Sequence, residues 1–73
     1  MAEEKVEVPI TGKITSVAVT VGCEVKEGEV ICFLESMKME NPILAPVAGK
    51  VTSLTAKVGE VVEAGKPLAT IEY

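Results

Sequence analysis

The chain contains no His, no Asp, no Arg and no Trp, and it has one Phe and one Tyr. Each absence removes a class of function. Without His or Asp, and with Cys23 and Cys32 outside any Cys-x-x-Cys pair, a zinc site has no ligand set. Acid–base work calls for His or a carboxylate shifted by burial, and with no His the Glu residues read as a solvated surface. The serines have no visible base beside them, so neither acid–base nor nucleophilic catalysis can be drawn from these residues. Seven Lys against eleven Glu leave a net charge of −4, and an acidic chain without Arg is poorly built for a phosphate backbone. No nucleic-acid partner is therefore expected. No apolar run reaches transmembrane length and no signal-peptide pattern opens the chain. Membrane insertion by this chain is not expected, and the expected location is the cytoplasm. The six Gly make no phosphate loop, since neither their spacing nor a following helix fits one.

What is present is a duplication. At an offset of 37 residues Pro9, Gly12, Lys13, Thr15, Ser16, Val21, Gly22, Val25, Gly28 and Glu35 meet the same residue types at Pro46, Gly49, Lys50, Thr52, Ser53, Val58, Gly59, Val62, Gly65 and Glu72. Ile14 with Val51, Val17 with Leu54, Ile31 with Leu68 and Leu34 with Ile71 keep apolar character. The chain reads as two copies of one unit, 2–35 and 39–72, joined by Ser36-Met37-Lys38.

Within each copy the pattern is that of strands. Val, Thr and Ile are stiff at χ1 and favour extended backbone. The first copy reads as a short strand at Val6–Val8 limited by Pro9, a strand over Lys13–Val21, a brief one at Val25 between Gly22 and Gly28, and one over Glu29–Glu35. Gly22, Gly28, Gly59 and Gly65 are placed where turns require positive φ. Met39–Pro46, Lys50–Val58, Val61-Val62 and Pro67–Glu72 repeat the set. No stretch holds apolar residues at helical spacing for three turns. The expected fold is all-β: a flattened barrel or sandwich of two four-stranded antiparallel sheets with internal pseudo-two-fold symmetry. The chain, 1–73, is expected to form a single domain, with residues 1–4 frayed. Cys32 reads as a small buried hydrophobe and Cys23 as a turn residue.

Lys38 is the residue this plan singles out. It stands at the joint of the duplication, at a hairpin tip, and symmetry places it far from both termini. Met37 and Met39 flank it, although Met ordinarily fills cores. Glu35 and Glu40, on either side, read as charge at a hairpin end. An isolated, protruding Lys can be acylated, which would place a cofactor on a flexible stem and leave the chemistry to that cofactor.

Met37-Lys38-Met39 preceded by Glu35-Ser36 resembles the attachment motif of biotinyl domains, usually Glu-Ala-Met-Lys-Met. Pro9-Ile10-Thr11-Gly12, Val21-Gly22 through Gly28, Ala45-Pro46-Val47-Ala48-Gly49 and Val58-Gly59 through Gly65 are similar to the rest of that family, so the likeness covers nearly the whole chain. The resemblance implies a biotin carboxyl carrier without catalytic residues of its own, with biotin attached to Lys38 by a biotin protein ligase. It further implies carriage of carboxybiotin from a biotin carboxylase to a carboxyltransferase of a biotin-dependent carboxylase or decarboxylase. Ser36 stands where the family usually has Ala, and Cys23 and Glu60 where Asp is common. Ser36 leaves a lipoyl-carrier or dual-attachment reading open, although lipoyl domains usually carry Asp-Lys-Ala at the tip. A binding or structural β-domain with an incidental Met-Lys-Met is the alternative of a different class.

Overall fold

The computed structural model, which describes Ala2–Tyr73, contains eight strands. They are β1 (Glu3–Glu7), β2 (Gly12–Val17), β3 (Glu24–Val25), β4 (Val30–Ser36), β5 (Met39–Leu44), β6 (Gly49–Leu54), β7 (Val61–Val62) and β8 (Pro67–Glu72). They form two four-stranded sheets, β1-β8-β6-β3 and β5-β4-β2-β7, in which every pairing is antiparallel. We call these the terminal sheet and the hairpin sheet. No helix occurs among the described residues.

The offset of 37 residues maps one sheet onto the other, strand for strand. Each sheet takes its two inner strands from one half of the chain and its two edges from the other half. The halves are also stitched by backbone bonds that repeat under the same offset. Gly22 N–H donates to the Val51 carbonyl and Gly59 N–H to that of Ile14, both at 2.7 Å. In return Val51 N–H donates to Cys23 at 2.8 Å, and Ile14 N–H to Glu60 at 2.9 Å.

The core obeys the same rule. Among the described residues sixteen apolar side chains are buried, and all sixteen fall into pairs 37 apart: Val6 with Ile43, Val8 with Ala45, Ile14 with Val51, Val19 with Ala56, Val25 with Val62, Ile31 with Leu68, Cys32 with Ala69, and Leu34 with Ile71. No aromatic ring and no charged group is buried there. Cys32 is thus a packing residue, and burial pushes its thiol pKa up.

Three expectations are corrected. Fraying was expected at residues 1–4. Met1 lies outside the described residues, but Ala2 exchanges backbone bonds with Tyr73, and Glu3 and Glu4 pair with Glu72 and Ile71. Pairing with β8 supplies what Glu-Glu-Lys lacks in strand propensity. The strands expected to reach Val21 and Val58 end at Val17 and Leu54. Beyond those points the chain crosses to the opposite sheet, so Val19 and Ala56 turn inward while Val21 and Val58 are exposed. Ser36, assigned to the joint, belongs to β4.

Gly12 and Gly49 have a different task from the turn glycines. A Cβ on Gly12 would overlap the Glu35 carbonyl oxygen, and one on Gly49 that of Glu72. At Gly59 the space is open, but φ is +88°. Replacing Gly59 by Val should cost about 1–3 kcal/mol through backbone strain alone. Gly59→Asn should cost clearly less, because Asn tolerates the left-handed region. Urea denaturation of the two variants checks this, and equal midpoints would remove the conformational argument.

Candidate functional site

Strands β4 and β5 end in register at Ser36 and Met39, leaving two residues to reverse the chain. A two-residue hairpin loop is compatible with sheet twist chiefly when both residues take positive φ. Met37 and Lys38 do so, at φ 54° and 64°, and they are the only non-Gly residues with positive φ among the described ones. Such turns normally use Asn-Gly or Gly-Gly. Side chains here cost on the order of 1 kcal/mol each. The strand pairing therefore holds in place a conformation that the residues themselves disfavour.

The strained turn projects its side chains outward. Met37 is 92% exposed, Met39 65%, and Lys38 is also exposed. Neither Met braces the core. The one ion pair among the described residues joins Lys66 to Glu60 at 3.3 Å, so neither Glu35 nor Glu40 holds the Lys38 amine. Glu35 and Glu40 face each other across β4 and β5, and Lys13 is the partner of Glu35 on β2. Thr15, at a bulge in β2, donates its hydroxyl to Glu40 Oε2 at 2.7 Å. That bond spans β4 and draws the Glu40 carboxylate across the sheet. Asn41 Nδ2 donates to the Met39 carbonyl at 3.2 Å and supports the far side of the turn.

The turn and the termini occupy equivalent places. The offset carries the Ser36–Met39 pair onto Tyr73 and Ala2, whose N–H groups each donate to the other's carbonyl at 2.9 Å. The two places lie at opposite ends of a molecule 37 Å long. Strand β2 leaves the turn end at Lys13, and the chain reaches the terminal end at Glu24, in the row Glu24–Lys50–Glu72–Glu3. Glu35, Ser36, Met37 and Met39 thus surround Lys38 on a single tip, as the motif implies. The positive φ values and the Thr15–Glu40 bond were not foreseen. The two-residue spacing between paired strands was the one signal for the former, and only topology reveals the latter.

Residues 4–71 match the family Biotin_lipoyl, described as biotin-requiring enzyme. The chain belongs to this family. Biotin_lipoyl relatives include the methylmalonyl-CoA decarboxylase subunit gamma of Veillonella parvula, 55% identical over 42 residues, which are 58% of this chain and 33% of that one. A second is the propionyl-CoA carboxylase alpha chain of Ruegeria pomeroyi, 51% identical over 37 residues, 51% of this chain and 5% of the relative. The match thus covers a third of the first relative's length and a small part of the second's. Among solved structures the fold is similar to part of a single-chain, multi-domain long-chain acyl-CoA carboxylase, with TM-score 0.87, 29% identity, and coverage of 93% of this chain and 7% of that one. It is also similar to part of the Kluyveromyces lactis urea carboxylase, with TM-score 0.90, 32% identity, and coverage of 99% and 6%.

The turn geometry is testable by stability. Met37→Asn should raise the unfolding free energy by about 0.5–1 kcal/mol, since Asn accepts positive φ. Met37→Val should lower it by about 1–2 kcal/mol, because a β-branched residue is strained there. Met37→Leu should leave it nearly unchanged. Chemical denaturation gives all three values, and a stabilising Met37→Val would contradict the turn as described.

Proposed function

We propose that this chain is a biotin carboxyl carrier in which Lys38 is the attachment residue. The observation that carries the reading is the isolation of Lys38. On a duplicated fold it occupies the one turn that has no counterpart within the described chain, unpaired and flanked by exposed Met. The similar decarboxylase subunit and carboxylase chains support the same class of role. In this reading a biotin protein ligase presents biotin as its adenylate. The Lys38 amine attacks the activated carbonyl carbon, an amide forms, AMP leaves and the amine gives up a proton. Biotin, once bound, supplies the carboxyl-carrying chemistry. The chain contributes position: it holds one amine at the end of a rigid hairpin and leaves the opposite end for the tether.

The partners of this carrier are a biotin carboxylase, which charges the arm with ATP and bicarbonate, and a carboxyltransferase, which discharges it. We place that traffic in the cytoplasm and assign the whole chain, 1–73, to one biotinyl unit that performs no catalysis itself. Ser36 is small enough for either a biotin or a lipoate ligase site. Met on both sides of Lys38 favours biotin over the Ala that lipoyl domains usually place after the Lys.

Incubating the purified apo-protein with each ligase, its cofactor and ATP, and following intact mass, tests the reading. One biotin should be added rapidly, peptide mapping should place it on Lys38 alone among the seven Lys, and lipoate should be added slowly at most. Lys38→Arg should add none, because a guanidinium stays protonated and is no acyl acceptor. Biotin on Lys13 or Lys50, or faster lipoylation, would overturn the assignment.

A further inference from the structure

The pseudo-two-fold axis supplies an internal control, because the two sheets share a backbone plan and a paired core. Where their outer faces differ, the difference belongs to function on one side. The β4–β5 pair carries Phe33 opposite Pro42 and Val30 opposite Leu44. These rows alternate with the buried Ile43 and Leu34, so they face outward. The equivalent rows of the terminal sheet are Thr70 opposite Lys5 and Pro67 opposite Glu7. One outer face is therefore Phe, Pro, Val and Leu, and the other is Thr, Lys, Pro and Glu. Pro42 and Leu44 are exposed, Leu44 by 47%, and both also line a cleft of about 240 Å³ between β5 and β1. The next row toward the turn is acidic in both sheets, Glu35 with Glu40 and Glu72 with Glu3.

We infer that the outer face of β4–β5 docks on the biotin carboxylase that charges the Lys38 arm, against an apolar wall beside the entrance to its active-site pocket. The inference rests on the carrier reading above. Three observations select this occupant. The apolar rows lie on the same two strands as the turn, and Phe33 and Pro42 stand three residues behind it, about 10 Å at the rise of a strand. A body that admits the arm to a pocket has its wall at that depth. The exposed Met37 adds apolar surface at the tip itself. The face that bears no arm is charged at the same positions. Four side chains make a small contact, of the size that transient partners use, and a carrier must leave each site it visits. Strand addition to the β5 edge is disfavoured by Pro42, which has no N–H to donate.

The test exchanges the face for its own counterpart. Phe33→Thr, Pro42→Lys and Leu44→Glu together install side chains that the same backbone already carries in the terminal sheet, so the fold should persist, as circular dichroism and melting would verify. Parent and variant are biotinylated by a biotin protein ligase, then offered as substrates to a purified biotin carboxylase with ATP and radiolabelled bicarbonate. The expected result is equal biotinylation rates and a KM for carboxylation raised about tenfold or more in the variant, with kcat little changed. Lys50→Ala with Glu72→Ala, a pair on β6 and β8 of the opposite sheet and away from that cleft, should match the parent. A parent that takes up no biotin would defeat the carrier reading itself. Equal KM values on fully biotinylated proteins would overturn the docking face alone. So would a loss confined to the ligase step, which would assign the face to the ligase, or parent dimers in sedimentation that the variant lacks, which would assign it to a second copy.

Discussion

The exchange of backbone hydrogen bonds between the two halves of the chain is the constraint on which everything else depends. Neither half can complete a sheet, because each supplies two inner strands to one and two edges to the other. Unpaired backbone groups at those edges would be costly if buried, so the halves form together or not at all. This explains how 73 residues with a single Phe and a single Tyr reach a closed core. Among the described residues the core is sixteen aliphatic, Ala and Cys side chains in eight symmetric pairs, positioned by the same interlocked ladder.

The Lys38 turn draws on that stability. Two side-chain-bearing residues at positive φ persist only because the surrounding pairing over-determines them. The same geometry gives the tip its chemical character. A tight reversal leaves no room for the turn residues to fold back onto the domain, and among the described residues the Lys38 amine enters no ion pair. Rigidity behind the tip and freedom at its end suit the attachment role proposed above, in which one enzyme after another must find the same atom.

Much of this was legible in the sequence, and the repeat is the reason. Val6, Ile14, Val25, Leu34 and their partners 37 residues on are apolar in both copies, so the number of strands, the two sheets and the inward faces followed. The positive φ of the four turn glycines followed from their place between short strands. What escaped was tertiary. Nothing local to Val19 or Ala56 says that the chain leaves its sheet there, and alternation alone carries the strand on to an exposed Val21 or Val58. Glu3 and Glu4 are strand residues only because β8 lies beside them. Met37 and Lys38 carry no turn chemistry, so their backbone shape is imposed by the strands they join. Thr15 reaches Glu40 over an intervening strand, a proximity that no spacing in the chain encodes.

The paired bonds between Ala2 and Tyr73 place the chain's entrance and exit side by side. A domain whose ends meet in this way can be spliced into a surface loop of a host as readily as it can be hung from one end. In either arrangement the two flanking segments leave from a common anchor point. In the carrier role proposed above, the pivot would lie opposite Lys38, and the long dimension of the molecule would add to the radius that an arm there sweeps. The same module can therefore serve assemblies of very different size without redesign, since only the flanking linkers must change to set how far it travels.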